Sequence, residues 1–155
     1  MPNWCECSLR IYGNEKEIKK FKKGAKKGKQ AVSLEKLYPE PDYTKVKVKS
    51  TFPDLNKKFG NNKKYVDQKD AWWDWRIQNW GTKWDLCDVV IVDDLGSEIT
   101  FEFDTAWSPP VDAFKTISKK YPKLVFVLNY YEPGMGFEGF AKIVNGDVND
   151  HCVQL

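Results

Sequence analysis

Residues 98–110 read EITFEFDTAWSPP. Ile99, Phe101 and Phe103 alternate with polar residues, which is the period of a strand with one buried face. We therefore predict a strand over Glu98–Trp107. The run Ser108–Pro110 follows directly and predicts the start of a helix, because proline is tolerated in the first helical turn. A strand that leads straight into a helix indicates a mixed α and β fold.

The segments on either side supply the other elements of this fold. The helix after Ser108 has an apolar face at helical spacing, formed by Val111, Phe114, Ile117 and Tyr121. Turn residues separate the remaining apolar runs, which have the length of strands. The strands predicted there are Leu86–Val92, expected to be buried because LCDVVIV is almost wholly apolar, Leu124–Tyr131, Phe137–Val144 and an edge strand within residues 148–155.

The N-terminal part begins with one more strand and one helix. The sequence WCECSLRIY, over Trp4–Tyr12, alternates and predicts a strand. Asn14 followed by Glu17 is typical of a helix N-terminus, where each side chain caps a backbone N–H group. Eight lysines between residues 16 and 29 cover the outer side of this helix. Its apolar residues recur at helical spacing, at Ile18, Phe21 and Ala25.

Residues 30–83 interrupt this regular pattern. Three prolines break the first part, for which we predict little regular structure. A helix is predicted over Tyr65–Trp80, and Gly81 is expected to end it. Its expected inward face consists of Val66, Trp73, Ile77 and Trp80. The segment also carries lysines that we expect to be mobile or to face a ligand: Lys45, Lys47, Lys49, Lys57, Lys58, Lys63 and Lys64.

In chain order these elements give β-α-β-β-α-β and then an extra C-terminal strand or hairpin. That order is typical of the ferredoxin-like α+β fold, an antiparallel βαββαβ sheet with two helices on one face. We predict a single domain over residues 1–155, with a helical insertion at about residues 30–83 between the first helix and the second strand.

Charge is unevenly distributed along the chain. Residues 1–83 hold 20 Lys plus Arg against 10 Asp plus Glu, whereas residues 84–155 hold 5 against 12, so the overall net charge is only +3. The basic half predicts either an anionic partner or a helix face solvated by lysines. The chain lacks a run of about 18 apolar residues and lacks the features of a signal peptide, so we expect a cytoplasmic protein without membrane contact.

Catalytic and metal-binding motifs are missing from the sequence. Cys5, Cys7, Cys87 and Cys152 lack the spacing of a zinc site, and in the cytoplasm they are expected to stay reduced. The single histidine, His151, lies near the C-terminus without an evident catalytic partner. No nucleophile elbow, phosphate-binding loop or zinc-protease helix occurs. We therefore predict no catalytic residue, no metal, no cofactor and a protein that is not an enzyme.

Four blocks of sequence resemble a known family. They are MPNWCECSLRIYG at residues 1–13, NWGTKWD at Asn79–Asp85, TAWSPP at Thr105–Pro110 and YYEPGMGFEG at Tyr130–Gly139. Together they resemble the YubB-type ferredoxin-like domain, which is carried by many phages and plasmids. The resemblance leaves out the Lys-rich insertion. It implies the fold and a mobile-element origin, and, since similar phage proteins are implicated in sequestering cyclic nucleotide signals of host defence, it implies a role as such a sponge.

Tryptophan is the most informative residue type, with seven copies in a chain that is 15% aromatic. In a ferredoxin-like sheet we expect the second strand to begin at the edge where the third strand ends and both helices start. Indoles that meet there beside a helix N-terminus suit a nucleotide, although each tryptophan has the alternative role of filling the core. The predicted ligand-binding residues are Arg76, Trp80, Thr82, Lys83, Trp84, Thr105, Trp107 and Ser108. Trp4 and Tyr131 are weaker candidates and are expected at the opposite edge.

These observations lead to one leading hypothesis and several alternatives. The leading hypothesis is a phage-type homo-oligomer that sequesters a cyclic dinucleotide or trinucleotide, and thereby blocks host antiphage signalling without turnover. The alternatives are a single-stranded nucleic-acid-binding module, a protein inhibitor of a host defence enzyme, and a nuclease or phosphodiesterase.

Overall fold

The computed structural model describes residues 1–53 and 64–155. Six strands and four α-helices lie in these residues, so the predicted α+β class is confirmed. The strands are β1 Trp4–Tyr12, β2 Cys87–Asp94, β3 Glu98–Ala106, β4 Val125–Glu132, β5 Phe137–Val144 and β6 Asp147–Gln154. The helices are α1 Glu15–Ala25, α2 Leu34–Leu37, α3 Ala71–Asn79 and α4 Val111–Lys120. None of these described helices is long and apolar enough to cross a membrane.

The six strands form one antiparallel sheet in the order β2-β3-β1-β4-β5-β6. β1 lies between β3 and β4, with Trp4 opposite Ala106 and Glu6 opposite Tyr131. Because antiparallel neighbours run in opposite directions, the start of β1 lies beside the ends of β3 and β4. The β5–β6 hairpin extends the sheet on the far side of β4.

Helices α1 and α4 cover one face of this sheet. Phe21 of α1 and Phe114 of α4 both pack against Phe126 of β4, with ring centroids 5.6 and 6.0 Å apart. The inward residues of β1, such as Leu9, are buried in the same core, which removal of apolar surface from water stabilises. The opposite face of the sheet, which we call the open face, carries the outward residues of the same strands, among them Glu6.

The predicted start of α1 is confirmed. The side-chain oxygen of Asn14 accepts a hydrogen bond from the backbone N–H of Glu17 at 2.9 Å, which satisfies one of the free donors of the first turn. Ile18, Phe21 and Ala25 are buried, as their helical spacing predicts. The lysines lie on the other side of the helix, where they add charge to the surface rather than to the core.

Strand β2 differs from its prediction as a buried strand. It is an edge strand over Cys87–Asp94, and Val90 and Ile91 are about half exposed. Two register shifts, between Cys87 and Val90 and between Ile91 and Asp93, interrupt its pairing with β3. An apolar run is typical of a strand whose two faces are both covered. This strand instead lies at the edge of the sheet, and its apolar side chains are partly exposed to solvent. The irregular pairing also protects an edge strand from joining another chain.

The helix predicted over Tyr65–Trp80 is shorter and is rotated about its axis. A 3-10 turn at Gln68–Asp70 precedes α3, whose buried positions are Ala71 and Asp74. The carboxylate of Asp74 accepts hydrogen bonds from the backbone N–H and the hydroxyl of Thr51, both at 2.8 Å, which explains why a charged residue faces inward. Three residues of the predicted inward face are only partly buried: Val66, Trp73 and Ile77.

The insertion also carries a short helix that the sequence analysis did not predict. Helix α2 begins after Ser33, which caps it. The carboxylate of Asp85 accepts hydrogen bonds from the Ser33 hydroxyl and the Leu34 N–H, each at 2.7 Å, and so fastens α2 to the segment before β2. Residues 54–63 of the predicted irregular segment, with Lys57, Lys58 and Lys63, lie outside the described residues.

Trp80 joins the insertion to the core. Its side chain is 0% exposed, and the indole N–H donates to the carbonyl oxygen of Tyr38 at 2.9 Å. The Trp75 ring meets the Trp80 ring edge to face at 5.7 Å, and the Arg76 guanidinium lies 5.2 Å from its centroid. The indole of Trp80 is thus held by a hydrogen bond, by one aromatic ring and by a guanidinium group, which indicates a role in packing.

We predict that Trp80→Ala lowers the free energy of unfolding by about 3–5 kcal/mol, because it leaves a large cavity and an unpaired Tyr38 carbonyl. Equilibrium urea unfolding measures this loss. The matched control is Trp73→Ala in the same helix, whose partly exposed ring should cost much less. An equal loss in the two variants would contradict the role given to Trp80.

Candidate functional site

A concavity of about 810 Å³ lies on the open face of the sheet. All six strands contribute residues to its lining. Its volume falls within the range of about 300–1,000 Å³ that is usual for ligand sites. Its carboxylates are Glu6, Asp88, Glu102, Asp104 and Glu138, and its exposed rings include Tyr131, Phe140 and His151. We call this concavity the acidic groove.

The acidic groove has a strongly negative lining. Its lining residues include no lysine or arginine. Among residues 1–53 and 64–155, no ion pair reaches any of its five carboxylates. Burial raises the pKa of Asp104 above its ordinary value, and the nearby charges of Asp88 and Glu6 raise it further. The fold therefore holds like charges together without a counter-charge.

A bulge in β2 places one of these carboxylates. The register shifts between Cys87 and Val90, and Asp88 within the shift has a φ of 52°, which lies in the left-handed region. Aspartate tolerates this conformation better than most residues. Bulges commonly redirect a side chain at the edge of a site. Here the bulge sets Asp88 in the lining of the acidic groove, close enough to Asp104 to raise its pKa.

Tryptophans gather at the end of the sheet where β1 starts. Trp4 is paired with Ala106, and its ring centroid lies 6.2 Å from that of Trp84. The backbone N–H of Trp107 donates to the carbonyl oxygen of Asn3 at 2.9 Å, so Trp107 lies at the same end. We call Trp4, Trp84 and Trp107 the tryptophan rim.

The prediction that placed Trp4 and Tyr131 at the opposite edge is wrong. β1 starts where β3 and β4 end, because both pairs are antiparallel. Trp4 therefore belongs with Trp84 and Trp107, and Tyr131, opposite Glu6, lines the acidic groove near that end. The expectation that both helices start at this edge is wrong for the same reason, because α1 follows the far end of β1.

Trp107 has a strained backbone and an exposed side chain. Its φ is 71°, and its side chain is 44% exposed. A bulky residue in the left-handed region is a genuine outlier that costs about 1–3 kcal/mol, and such strain clusters at functional sites. Glycine adopts this conformation without that cost. An exposed indole at such a position gains little from packing, so stability alone does not account for it.

Lys83 is the cation of the tryptophan rim. Its ammonium nitrogen lies 4.8 Å from the centroid of the Trp84 ring, and both side chains are partly exposed. Such a contact contributes about 0.5–1 kcal/mol at an exposed site. The pair thus presents a positive charge and an aromatic face side by side.

Three of the predicted ligand-binding residues are buried parts of the scaffold. Trp80, Thr82 and Thr105 are 0% exposed. The Thr82 hydroxyl donates to the Ala106 carbonyl at 2.9 Å, and the Thr105 hydroxyl donates to the Ser108 carbonyl at 2.8 Å. These bonds do bring residues 80–84 against the end of β3, as predicted. They leave the three side chains without a surface for a ligand.

Arg76 is also part of the scaffold rather than a free phosphate ligand. Its Nε and one Nη donate to the two carboxylate oxygens of Glu40 at 2.6 and 2.9 Å. The hydrogen bond to Glu40 raises the pKa of Arg76. Burial raises the pKa of Glu40, but its hydrogen bonds from Arg76 and Tyr43 outweigh burial and lower it overall. This two-pronged pair holds the segment around Glu40 to α3 within the insertion.

Ser108 and the start of α4 provide no free anion site. The Ser108 hydroxyl donates to the Gly81 carbonyl at 2.5 Å. Helix α4 begins at Val111 rather than at Ser108, with Pro110 as its N-cap. The Ala113 N–H of the first turn donates to the Trp80 carbonyl at 3.2 Å. The predicted use of this helix end for a phosphate is therefore not supported by the geometry of its donors.

The described residues offer no arrangement of three or more His, Cys, Asp or Glu side chains able to hold a metal ion. The cysteines are free thiols; Cys5 and Cys7 share the inward face of β1, with sulfur atoms 4.0 Å apart. Their hydrogen bond and burial hold the pKa of Cys7 well above its ordinary value, so this thiol stays protonated. His151 is exposed and lies against the Phe140 ring at 5.1 Å.

The acidic groove was not predicted from the sequence. Glu102 and Asp104 are there only two of the polar residues that alternate with the apolar residues of β3, with no connection drawn to Glu6 and Glu138. A signal was available, because the outward positions of β3 carry Glu102 and Asp104 two residues apart, and those of β1 and β5 carry Glu6 and Glu138. The negative surface becomes evident only when the carboxylates of the three strands are considered together, because no single strand indicates it.

We predict that Asp104→Asn raises the free energy of unfolding at neutral pH by up to about 1 kcal/mol, because it removes like-charge repulsion with Asp88 and Glu6. Since the folded-state pKa of Asp104 lies above 3.8, the native carboxylate is penalised at pH values above that raised pKa. The gain should disappear as the pH falls below 3.8, where the native side chain is neutral in both states. Urea unfolding at both pH values measures it.

The control for this prediction is Asp147→Asn at the exposed start of β6, which should leave the stability unchanged. A loss of stability in Asp104→Asn at neutral pH would contradict the repulsion described above.

Two comparisons with known proteins bear on the fold. Residues 79–154 match the family described as the ferredoxin-like domain in Api92-like protein. The crystal structure of protein api92 from Yersinia pseudotuberculosis superimposes with a TM-score of 0.63 at 11% identity, over 100% of this chain and 98% of that chain. No curated protein matches the chain. By sequence in its C-terminal half and by fold over its whole length, the chain is similar to Api92-like proteins, which supports the predicted ferredoxin-like family.

Proposed function

We propose that the chain is a non-catalytic binding protein that captures a small cyclic nucleotide on the tryptophan rim. The observation that carries this proposal is Trp107, a strained and 44% exposed residue at the end of the sheet where the Trp4–Trp84 pair also lies. A base that stacks on an aromatic ring gains about 1–3 kcal/mol, and every base has a flat face to offer. The cost of holding an exposed indole in the left-handed region is then offset by ligand contact.

Lys83 supplies the charge that a nucleotide needs. A base that stacks on Trp84 takes the place of the ammonium group over that ring. The displaced ammonium then lies beside the base, where it pairs with a phosphate of the same ligand. Arg76, Trp80, Thr82 and Thr105 have no part in this contact, since they are engaged in the scaffold. Ser108 supports Gly81 rather than the ligand.

The charge around the tryptophan rim limits the kind of nucleotide. Glu6 follows Trp4 by two residues on the same face of β1, and Asp104 precedes Ala106 by two residues on β3. These carboxylates repel a ligand with many phosphates. A cyclic dinucleotide, or a trinucleotide with one more phosphate, suits one lysine between acidic neighbours better than a long polyanion does.

The biological role proposed for this capture follows from the resemblance of the four sequence blocks to phage and plasmid proteins. A phage-borne protein that binds a cyclic nucleotide of host defence lowers its free concentration and so blocks antiphage signalling without turnover. We propose a homo-oligomer for this role in the bacterial cytoplasm, because a second copy can close the outer side of a ligand that lies on one rim.

Single-stranded nucleic acid is the second candidate ligand, and the eight lysines between residues 16 and 29 favour it. Five of these lysines lie on α1, which starts at the far end of β1 from the tryptophan rim. A strand of nucleic acid that contacts many lysines loses affinity steeply with salt, whereas a small nucleotide held by one lysine does not. The salt dependence of binding separates the two candidates.

We predict that Trp84→Ala and Trp107→Gly each weaken the binding of a cyclic dinucleotide or trinucleotide by about 5- to 100-fold, the loss expected for one stacked base. Trp107→Gly should leave the free energy of unfolding unchanged or raise it, because glycine relieves the strained backbone. Isothermal titration calorimetry measures the binding, and urea unfolding measures the stability.

Trp73→Ala is the matched control, since its ring packs against Phe52 in the insertion and lies outside the tryptophan rim. It should bind as the native chain does. The proposal fails if no cyclic nucleotide produces heat with the native protein, or if Trp73→Ala loses as much affinity as the rim variants.

A further inference from the structure

We infer that the acidic groove is a second binding site, which docks an arginine-rich segment of a partner protein. This site is separate from nucleotide capture on the tryptophan rim and does not depend on it. The inference combines three features of the open face: its concave shape, its unpaired negative charge and its exposed rings.

The shape of the groove suits a segment of polypeptide rather than a flat protein surface. Its volume of about 810 Å³ is enclosed by side chains from β1 to β6 on one uncovered face of the sheet. Long side chains that reach into a concavity lose water from both partners, which strengthens their electrostatic contacts. A few residues of an extended segment fill such a space.

The charge of the groove decides the sign of its occupant. Its five carboxylates have no ion-pair partner among the described residues, and no lysine or arginine is in the lining. Mutual repulsion of Asp88, Asp104 and Glu6 destabilises the free protein. A docked cation would reduce this repulsion, which no group of the described residues neutralises. Charge complementarity of this kind favours a basic partner and speeds its association.

The rings of the groove favour arginine over lysine. Tyr131 and Phe140 are 41% and 46% exposed, which is high for large rings on a sheet. Asn129 of β4 and Glu138 of β5 line the same surface as these two rings. A guanidinium group can stack on such a ring and donate to a carboxylate in the same plane, whereas an ammonium group makes a point contact only.

A second copy of this chain is a poorer occupant than a foreign segment. The chain has two arginines, Arg10 and Arg76. Arg10 is paired with Glu98 and Arg76 with Glu40. Another copy could therefore offer, besides lysines, only the partly exposed Arg10, which would first have to leave Glu98, and lysines use the rings less well.

The test uses titration calorimetry of the full chain with a peptide of alternating arginine and alanine, and with its lysine and glutamate analogues. We expect the arginine peptide to bind most tightly, the lysine peptide several-fold more weakly, and the glutamate peptide not at all. Phe140→Ala should weaken the arginine peptide by about two- to fivefold, the value of one exposed cation–π contact, and should change the lysine peptide less.

The charge of the groove is tested by Glu102→Gln combined with Glu138→Gln, which should weaken the arginine peptide by about tenfold near 0.15 M salt. The matched control, Glu15→Gln combined with Asp70→Asn, removes the same charge from exposed positions outside the groove and should change affinity less than twofold. All four side chains are exposed, so both double variants are expected to fold, which circular dichroism verifies.

Three results would overturn the inference. The first is the absence of binding by the arginine peptide. The second is an equal loss in the groove variant and its control, since the peptide would then respond to net charge alone. The third is self-association of the native chain in sedimentation that disappears in the groove variant, because a second copy would then be the occupant.

Discussion

The antiparallel pairing of β1 with both β3 and β4 decides which side chains can meet. It directs Cys5 and Leu9 into the core beneath α1 and α4, and it leaves Glu6 on the open face. It also places Trp4 beside Ala106, so that tryptophans from three distant segments reach one end of the sheet. A slip of one residue would exchange the two faces and bury the carboxylate, which is why the register is strongly fixed.

Residues with a strained backbone lie mainly at the two proposed binding sites. Among the described residues, three residues other than glycine have a positive φ: Asp88, Trp107 and Asn145. Asn145 precedes Gly146 in the β5–β6 turn, where this conformation is ordinary for a hairpin. Of the other two, Asp88 lines the acidic groove and Trp107 belongs to the tryptophan rim at the end of the sheet. Unfavourable conformations and unpaired charges thus collect where packing does not require them, which is the pattern expected of a binding surface.

The sequence predicts this fold better than it predicts the site. Local signals sufficed for β1, for the N-cap of α1 and for the inward residues of β3, because alternation and capping depend on neighbouring residues alone. Arg76 and Trp80 show where local signals end: their roles depend on Glu40 and on the Tyr38 carbonyl, about 40 residues away in sequence, and no period or motif announces such a partner. The position of Trp4 was derivable from strand direction, but the direction was misjudged.

Hydrogen exchange of the seven indole N–H groups, followed by ¹⁵N NMR, tests the division of tryptophans between core and rim most directly. The indole N–H of Trp80, bonded to the Tyr38 carbonyl in the interior, should exchange only when the protein unfolds. That of Trp107, on an exposed side chain, should exchange at close to the rate of an unprotected indole. Rapid exchange at Trp80 together with strong protection at Trp107 would contradict the account.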